Sequence, residues 1–376
     1  MLIAIPAEKD PAEGRVAATP ETVKKYAGLG AAVRVEAGAG LASGFLDADY
    51  AAAGAVIAAN AAAVRDADII LRVRRPSPAD VSGAKPGAAV LAIMDPYGHT
   101  DALKDLASAG VCAFAMELMP RITRAQTMDV LSSQANIAGY RAVIDAAAEY
   151  GRVIPMMMTA AGMIQPAKIF VMGVGVAGLQ AIATARKLAA IVTATDVRPA
   201  TKEQVVSLGA KFIAVEDDEF KEAETAAGYA KEMSPQYKEK QAALTASHIA
   251  SQDIVITTAL IPGRPAPVLI TAKMVETMRP GSVIVDLAVE RGGNCELSKP
   301  GETVTSSNGV KILGPINIAG RLPATASALY AKNLLAFLET LIDPKTKTLA
   351  IKWDDELVKA TLLTKDGALT HPSFQA

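Results

Sequence analysis

Short apolar runs alternate with amphipathic stretches along most of the chain. Each run is apolar at consecutive positions rather than at every second one, as in strands buried between two helix layers. This alternation predicts an α/β protein with parallel sheets. The predicted strands of the first third are LIAI, AAVRVEAG, ADIILRV, AAVLAIM and GVCAFAM, and the helical stretch TPETVKKYAGLG lies between the first two.

A second set of such runs begins at Lys168, so the pattern predicts two domains. Its strands are KIFVMG, IVTATD, KFIAV, DIVITTA, SVIVDLA and KILG. Between the two sets lies a long helix candidate, with Ser132 or Ser133 as its expected N-cap, and we place the domain crossing there.

The end of the chain is too small to form a domain of its own. It contains a long helix, ALYAKNLLAFLETLI, and two strand candidates, TLAIKW and ATLLTKDGALTH, the second folded at Asp366-Gly367. We expect this tail to return to the first domain. The predicted first domain is therefore residues 1–132 plus 315–376, and the second, inserted into it, is residues 133–314.

Composition narrows the classes of function. The chain has 376 residues, 51% of them hydrophobic, and a net charge of −1. That balance does not favour a nucleic-acid surface. Two distant cysteines and three scattered histidines predict neither a disulfide framework nor a metal site.

Location follows from the same features. Acidic residues come too early for a secretory signal, and reduced cysteines suit the cytoplasm. No apolar window reaches the roughly 18–20 residues that span a bilayer, so we expect no direct membrane insertion. The run PMMM at 155–158 is predicted to pack in a core or at a hinge.

The stretch KIFVMGVGVAGLQAIATARKL, residues 168–188, carries three glycines between a strand and a helix. Gly173, Gly175 and Gly178 have the G-x-G-x-x-G spacing that permits a tight turn, close approach to a pyrophosphate and close helix packing. The N–H groups of Val176 and Ala177 would then face the phosphates. The alternative is a tight strand–helix turn that binds nothing.

The next strand ends in Asp196, close to the expected spacing of about 20 residues after the glycines. A carboxylate there accepts hydrogen bonds from the adenosine ribose and disfavours a 2′-phosphate, which favours NAD(H) over NADP(H). Arg198 complicates this because an arginine nearby can accept such a phosphate. Thr201 to Gln204, TKEQ, is predicted to be a capping box.

A polar stretch, RITRAQTMDVLSS, precedes the long helix at the predicted domain crossing. Arg121 and Gln126 carry donors and acceptors that suit a nicotinamide carboxamide or ribose. Asp129 and Ser132 continue at a spacing of three. The alternative is a solvated linker with capping groups.

Together, several motifs resemble those of the proton-translocating nicotinamide nucleotide transhydrogenase, specifically its soluble NAD(H)-binding component. They are MELMPRITRAQTMDVLSSQANIAGYRAVIDAA, GVGVAGLQAIATA, TDVRPATKEQVVSLGAKF, AAGYAKEM, TTALIPGRPAPVLIT and VIVDLAVERGGNCE. The resemblance covers essentially the whole chain.

The resemblance implies two Rossmann-like domains in each protomer of a homodimer, with an NAD cleft between the domains. It implies direct hydride transfer between NAD(H) on this chain and NADP(H) on a partner component. A separate transmembrane component would couple the transfer to proton translocation. The chain would then be cytoplasmic and peripherally associated with the inner membrane.

The resemblance also assigns roles to residues. Arg121, Gln126, Asp129 and Ser132 would surround the nicotinamide and its ribose, and Gln126 with Arg121 would act by positioning. Gly173, Gly175, Val176 and Gly178 would contact pyrophosphate, and Asp196, Val197 and Arg198 the adenosine. Leu260 would border the nucleotide cleft. A mobile loop, Glu216–Gln241, would close over the nucleotide, with Gly228 and Tyr229 at its tip and Gln241 on its far side.

Two other functions stay open. Alanine dehydrogenase is similar in sequence, and Arg15 resembles its substrate-carboxylate arginine. However, Arg72 stands where that family has a lysine, His99 lies a few residues late for its histidine, and Glu290 stands where it has an acid. The third possibility is a non-enzymatic NAD sensor.

Overall fold

The computed structural model describes residues 1–221 and 233–375, without the side chains of residues 60 and 61. The chain divides into two compact units, Met1–Gln134 with Ala319–Ala376 and Ala135–Ile318. As separately folding domains, the boundaries predicted above remain a prediction.

The first unit contains a six-stranded parallel sheet in the order β3-β2-β1-β4-β5-β6. Its strands are β1 (Leu2–Ile5), β2 (Ala32–Glu36), β3 (Ala55–Ala58), β4 (Ile69–Arg74), β5 (Ala89–Ile93) and β6 (Cys112–Ala115). Strand β3 is absent from the sequence prediction, because AVIA lies in an alanine-rich stretch whose composition suits a helix equally well.

Four α-helices accompany this part of the chain. They are α1 (Pro20–Gly28), α2 (Asp47–Ala52), α3 (Thr100–Ser108) and α4 (Val130–Glu149), the last of which continues into the second unit. The strands β5 and β6 are buried at nearly every position, and apolar clusters lie on both faces of the sheet. This explains the continuous apolar runs in the sequence.

The second unit contains a seven-stranded sheet in the order β11-β10-β9-β12-β13-β15-β14, parallel except for β14. Its strands are β9 (Lys168–Met172), β10 (Ile191–Thr195), β11 (Lys211–Phe212), β12 (Ile254–Thr257), β13 (Val283–Asp286), β14 (Thr303–Thr305) and β15 (Lys311–Leu313). The predicted strand KFIAV is shortened to two residues. Both sheets confirm the predicted parallel α/β class.

Five further helices belong to the second unit: α5 (Val176–Lys187), α6 (Thr201–Ser207), α7 (Asp218–Lys221), α8 (Pro235–Ile249) and α9 (Ala272–Glu276). A separate hairpin, β7 (Met157–Thr159) and β8 (Gly162–Ile164), precedes the sheet. Its Met158 side chain is 73% exposed. The prediction that this methionine run packs in the core is therefore wrong.

The tail completes the first unit. It comprises α10 (Pro323–Leu341), a hairpin of β16 (Ile342–Asp343) and β17 (Thr348–Leu349), α11 (Glu356–Thr361), and a hairpin of β18 (Thr364–Lys365) and β19 (Ala368–Leu369). Phe337 of α10 packs edge-on against Phe114 of β6, with ring centroids 5.8 Å apart.

The two strand predictions for the tail are only partly right. Asp366 and Gly367 have φ of +52° and +76°, as a tight hairpin turn requires, which confirms the predicted fold-back. Most of TLAIKW is irregular, and the residues before Leu362 are helical.

Candidate functional site

The second unit has a change of strand order at β9, which lies between β10 and β12. In open α/β sheets, ligands bind at the carboxyl ends of the strands at such a point. Three predicted or neighbouring features meet there: the glycine turn after β9, Asp196 after β10, and Thr258 after β12.

The three glycines of the turn differ in what requires them. Gly173 has φ of +98°, and a Cβ there would lie 2.6 Å from the Thr258 hydroxyl oxygen. A Cβ on Gly178 would lie 1.9 Å from the carbonyl oxygen of Gly173. Gly175 has an ordinary φ of −79°, and a Cβ on it would meet no atom within 4 Å. Packing within the protein therefore requires the first and third glycines, whereas Gly175 leaves an open approach to the backbone.

The first turn of α5 offers hydrogen-bond donors at this opening. Gly175 is the N-cap and has no side chain to cap the helix. Within the described ranges, the backbone N–H groups of Val176, Ala177 and Gly178 have no acceptor. Free N–H groups at the positive end of a helix fit a phosphate group. The turn therefore fits the pyrophosphate of a dinucleotide.

The nearly buried carboxylate of Asp196 holds both the glycine turn and Arg198. It accepts hydrogen bonds from Val174 N at 2.7 Å and from Arg198 N, Nε and Nη2, each at 2.9 Å. Arg198 is therefore paired with Asp196 in the structure. The sequence indicates both residues but cannot show that they bind one another.

The predicted capping box at TKEQ is wrong. Helix α6 begins at Thr201, whose hydroxyl donates to the carbonyl oxygen of Arg198 at 2.7 Å instead of accepting from Gln204. This bond adds a second tie to the Arg198 backbone.

Several other predicted residues lie on this unit. Val176, Val197 and Leu260 are apolar side chains that are 38%, 42% and 53% exposed. The Gln241 amide accepts from Val215 N at 3.0 Å and donates to the Thr195 hydroxyl at 3.2 Å, beside the end of β10. Gly228 and Tyr229 lie outside the described residues.

In the first unit, Arg121 and Gln126 are exposed. Gln126 lies on the short 3₁₀ helix Thr123–Met128. Neither side chain has a hydrogen-bond or ion-pair partner among the residues that the structure describes. They are polar groups available to a ligand.

The 3₁₀ helix itself is firmly held. Arg124 donates to both carboxylate oxygens of Asp355, at 2.6 and 3.0 Å, and to Glu356 at 3.1 Å. The Asn333 amide of α10 donates to the carbonyl oxygen of Thr127 at 2.8 Å. The backbone that carries Gln126 is thus braced by the tail, a contact between residues about 200 positions apart that no local pattern reveals.

Asp129 and Ser132 form a helix cap. The Asp129 carboxylate accepts from Ser132 N at 2.9 Å and from the Ser132 hydroxyl at 2.6 Å, at the start of α4. Asp129 is therefore the capping residue, and the prediction of Ser132 or Ser133 as N-cap is wrong. Both polar side chains already have a structural partner.

The first unit has its own change of strand order at β1, between β2 and β4, and charged side chains fill that position. The buried Arg15 guanidinium donates to Glu13 through Nε at 2.7 Å and Nη2 at 2.6 Å, and to the Gln134 side chain at 2.8 Å. Arg74 also donates to Glu13, at 2.8 Å.

Glu13 is charged in this cluster. Burial alone would raise the pKa of its carboxyl, but the hydrogen bonds and charge of Arg15, together with the charge of Arg74, hold that pKa below its usual value. An internal carboxylate thus occupies the guanidinium of Arg15. Arg72 is likewise buried and paired, with Glu8 at 3.0 Å and Asp80 at 3.5 Å.

The other residues named for alanine dehydrogenase do not join this cluster as free groups. His99 is partly exposed and its Nδ1 lies 2.9 Å from the carbonyl oxygen of Asp95. Glu290, in the second unit, accepts from Asn317 N at 3.3 Å. Within the described ranges, no group of three or more His, Cys, Asp or Glu could hold a metal ion. Nor does any described helix combine the length and apolarity needed to cross a membrane.

The comparisons with known proteins agree with this fold. Residues 4–138 match the family model "Alanine dehydrogenase/PNT, N-terminal domain", and residues 142–372 match "Alanine dehydrogenase/PNT, C-terminal domain". The chain is 55% identical to an NAD(P) transhydrogenase subunit alpha polypeptide of Rhodospirillum rubrum, over 100% of this chain and 99% of that protein.

Two further comparisons bracket the family. The crystal structure of transhydrogenase from Sinorhizobium meliloti is 60% identical with a TM-score of 0.90, and covers 98% of this chain and 100% of that one. Alanine dehydrogenase of Halomonas elongata is 31% identical over 99% of this chain and 95% of that protein. The two-domain match and the whole-length similarity place the chain in the alanine dehydrogenase/PNT family of oxidoreductases.

Proposed function

We propose that this chain is the NAD(H)-binding component of a proton-translocating transhydrogenase. The observation that carries the proposal is the open face at Gly175, where free N–H groups of α5 meet a glycine that packing does not require. The names of the more similar relatives support the choice of activity, since identity to the transhydrogenase subunit exceeds identity to alanine dehydrogenase.

The residues of the second unit would hold the dinucleotide. The glycine turn, Gly173, Gly175, Val176 and Gly178, would bind the pyrophosphate through backbone N–H groups. Asp196, Val197 and Arg198 would contact the adenosine, and Leu260 would cover part of the nucleotide with its exposed side chain. Gln241 would hold the end of β10 in place, and Gly228 with Tyr229 would belong to a closing loop.

Arg121, Gln126, Asp129 and Ser132 would attend to the nicotinamide and its ribose. When bound, the nicotinamide supplies the hydride chemistry, which needs no general acid or base from the protein. The chain would contribute orientation, with Arg121 and Gln126 presenting donors and an acceptor from a braced segment. Asp129 and Ser132 would have to share the groups that they now use to cap α4.

Three partners complete the proposal: a second copy of this chain, a component that binds NADP(H), and a transmembrane component that couples transfer to proton movement. The chain would work in the cytoplasm, held peripherally at the inner membrane by those partners.

The proposal is tested by binding and turnover in one sample. Fluorescence titration should show that NADH binds more tightly than NADPH, because Asp196 disfavours a 2′-phosphate. Hydride transfer between the two coenzyme pools should begin only when an NADP-binding component is added. Tight NADH binding without transfer in that mixture would instead indicate a sensor.

The same sample tests the alanine dehydrogenase alternative. With pyruvate and ammonia it should oxidise no NADH, because Glu13 and Gln134 already occupy the Arg15 guanidinium. An authentic alanine dehydrogenase is the positive control. Turnover in the ordinary enzyme range of about 1–10³ s⁻¹ would overturn the proposed function.

Gln126→Asn should slow hydride transfer while leaving the fold intact. The shorter side chain withdraws the amide by about one bond length from an exposed position, and a misplacement of about 1 Å can cost up to about 100-fold in rate. Stopped-flow measurement with the partner component gives the rate, and NADH titration gives the affinity. Gln165→Asn, a matched change before the amino-terminal end of β9, is the control. Unchanged transfer rate and affinity for Gln126→Asn would refute the positioning role.

A further inference from the structure

The loop after β13 is organised around one buried carboxylate. Asp286 has no exposed surface, yet its two oxygens accept five hydrogen bonds. The donors are the Thr257 hydroxyl at 3.1 Å, Ala288 N at 2.9 Å, Asn294 N at 2.8 Å, Cys295 N at 3.0 Å and the Ser298 hydroxyl at 2.7 Å. Such a carboxylate fixes the backbone of Asn294 firmly.

Asn294 is itself fully buried, and its amide clamps the segment that follows β12. Its Oδ1 accepts from Ala259 N at 2.9 Å, and its Nδ2 donates to Ala259 O at 2.9 Å and Pro267 O at 2.7 Å. Its carbonyl oxygen also accepts from Leu269 N and Ile270 N. Residues 258–269 lie in neither a helix nor a strand, so these bonds replace the missing regular structure.

The clamped segment touches the glycine turn. The Thr258 hydroxyl donates to the carbonyl oxygen of Gly173 at 3.0 Å, and Thr258 N donates to Met172 O at 2.8 Å. The next apolar side chains, Leu260 and Ile261, are 53% and 45% exposed. An irregular segment that presents adjacent apolar side chains beside a phosphate-binding turn needs an external hold if it is to keep one position.

We propose that Asn294, oriented by Asp286, is a positioning residue of the nucleotide site, because it presets the segment Thr258–Ile261 against the glycine turn. This inference rests on the proposed function and deepens it. Asn294 does not touch the nucleotide; it acts through Ala259. A segment that is held before binding does not have to be ordered during binding, so the affinity for NADH is higher.

The chain offers a matched control at the other edge of the same sheet. Asn308 lies in the turn between β14 and β15, and its Nδ2 donates to the carbonyl oxygens of Val275, Glu276 and Met278 at 3.0, 3.3 and 3.0 Å. It ties a loop together as Asn294 does. However, it lies before the amino-terminal end of β15, whereas the glycine turn follows the carboxyl end of β9.

The experiment compares Asn294→Ala with Asn308→Ala by NADH titration, thermal unfolding and hydrogen exchange. Both substitutions should lower the unfolding temperature. Only Asn294→Ala should weaken NADH binding, by about tenfold, the order expected when a loop must be ordered on binding. Only Asn294→Ala should remove exchange protection from the Ala259 amide. If Asn294→Ala does not fold, Asn294→Asp keeps an acceptor for Ala259 N and should show the same pattern more weakly.

Two outcomes overturn the inference. Equal loss of NADH affinity in both variants would mean that general destabilisation is responsible. Unchanged affinity in a folded Asn294 variant, while the unmodified chain binds NADH, would refute the positioning role alone. Failure of the unmodified chain to bind NADH would refute the proposed function, and this inference with it.

Discussion

Asp196→Ala is expected to reverse the coenzyme preference of the chain, weakening NADH binding and strengthening NADPH binding. The carboxylate has about four acceptor positions, and Val174 and Arg198 occupy them with four N–H donors. Three of those donors belong to Arg198. Removal of the carboxylate therefore frees the guanidinium, which then becomes a partner for the 2′-phosphate of NADPH.

The expected size follows from charged hydrogen bonds. Each contributes about 1.5–3 kcal/mol, and about 1.4 kcal/mol corresponds to a tenfold change in affinity. One such bond lost to NADH and one gained by NADPH change the ratio of the two affinities by about 100-fold or more. The measurement is parallel titration of both reduced coenzymes, with thermal unfolding as a check that the Val174 turn survives.

Variants of Arg198 separate the two effects. Arg198→Ala should retain the preference for NADH, because the carboxylate remains. The double variant Asp196→Ala/Arg198→Ala should bind NADH weakly without gaining NADPH. If Asp196→Ala alone kept the original preference, Asp196 would be a support for the glycine turn and nothing more.

This pairing shows what local sequence can reveal about the site. Gly173, Gly178 and Asp196 are recognisable because each is tied to neighbours in one strand–turn–helix unit, where spacing and geometry are linked. The ion pair with Arg198 depends on side-chain direction over two residues, which spacing does not determine. The sequence therefore indicates both members but leaves their relation open.

Helix caps show a similar limit. Asp129, Ser132 and Ser133 all have oxygen side chains suited to an N-cap, and they lie within five positions. The choice depends on where the backbone leaves the helical conformation, and the structure places that point at Asp129. At Thr201 the hydroxyl binds a carbonyl acceptor instead of an N–H donor, which a capping-box pattern cannot distinguish.

Contacts between distant residues are beyond sequence patterns altogether. Arg124 meets the tail at Asp355, and Arg15 meets Gln134, in pairs that depend on how the strands are ordered. The exposed Met158 shows the converse problem. Apolar composition predicts burial, but composition alone does not show whether a residue lies inside the unit or on its surface.

Gly175→Ala and Gly178→Ala are expected to fail in different ways. In Gly178→Ala the new Cβ would overlap a backbone carbonyl oxygen, so α5 must move away from the turn. Overpacking of this kind costs about 1–3 kcal/mol, and the displaced turn should also bind NADH poorly. Thermal unfolding and NADH titration should both show a loss.

In Gly175→Ala the backbone angles suit alanine and the methyl group meets nothing in the protein. Its cost to stability should stay below about 1 kcal/mol, the difference between glycine and alanine at an N-cap. NADH affinity should nevertheless fall by about tenfold or more, since the methyl group would stand where the phosphate approaches the α5 donors. A Gly175→Ala chain that bound NADH as tightly as the original would show that the open face serves no phosphate, because no other property of that position depends on glycine.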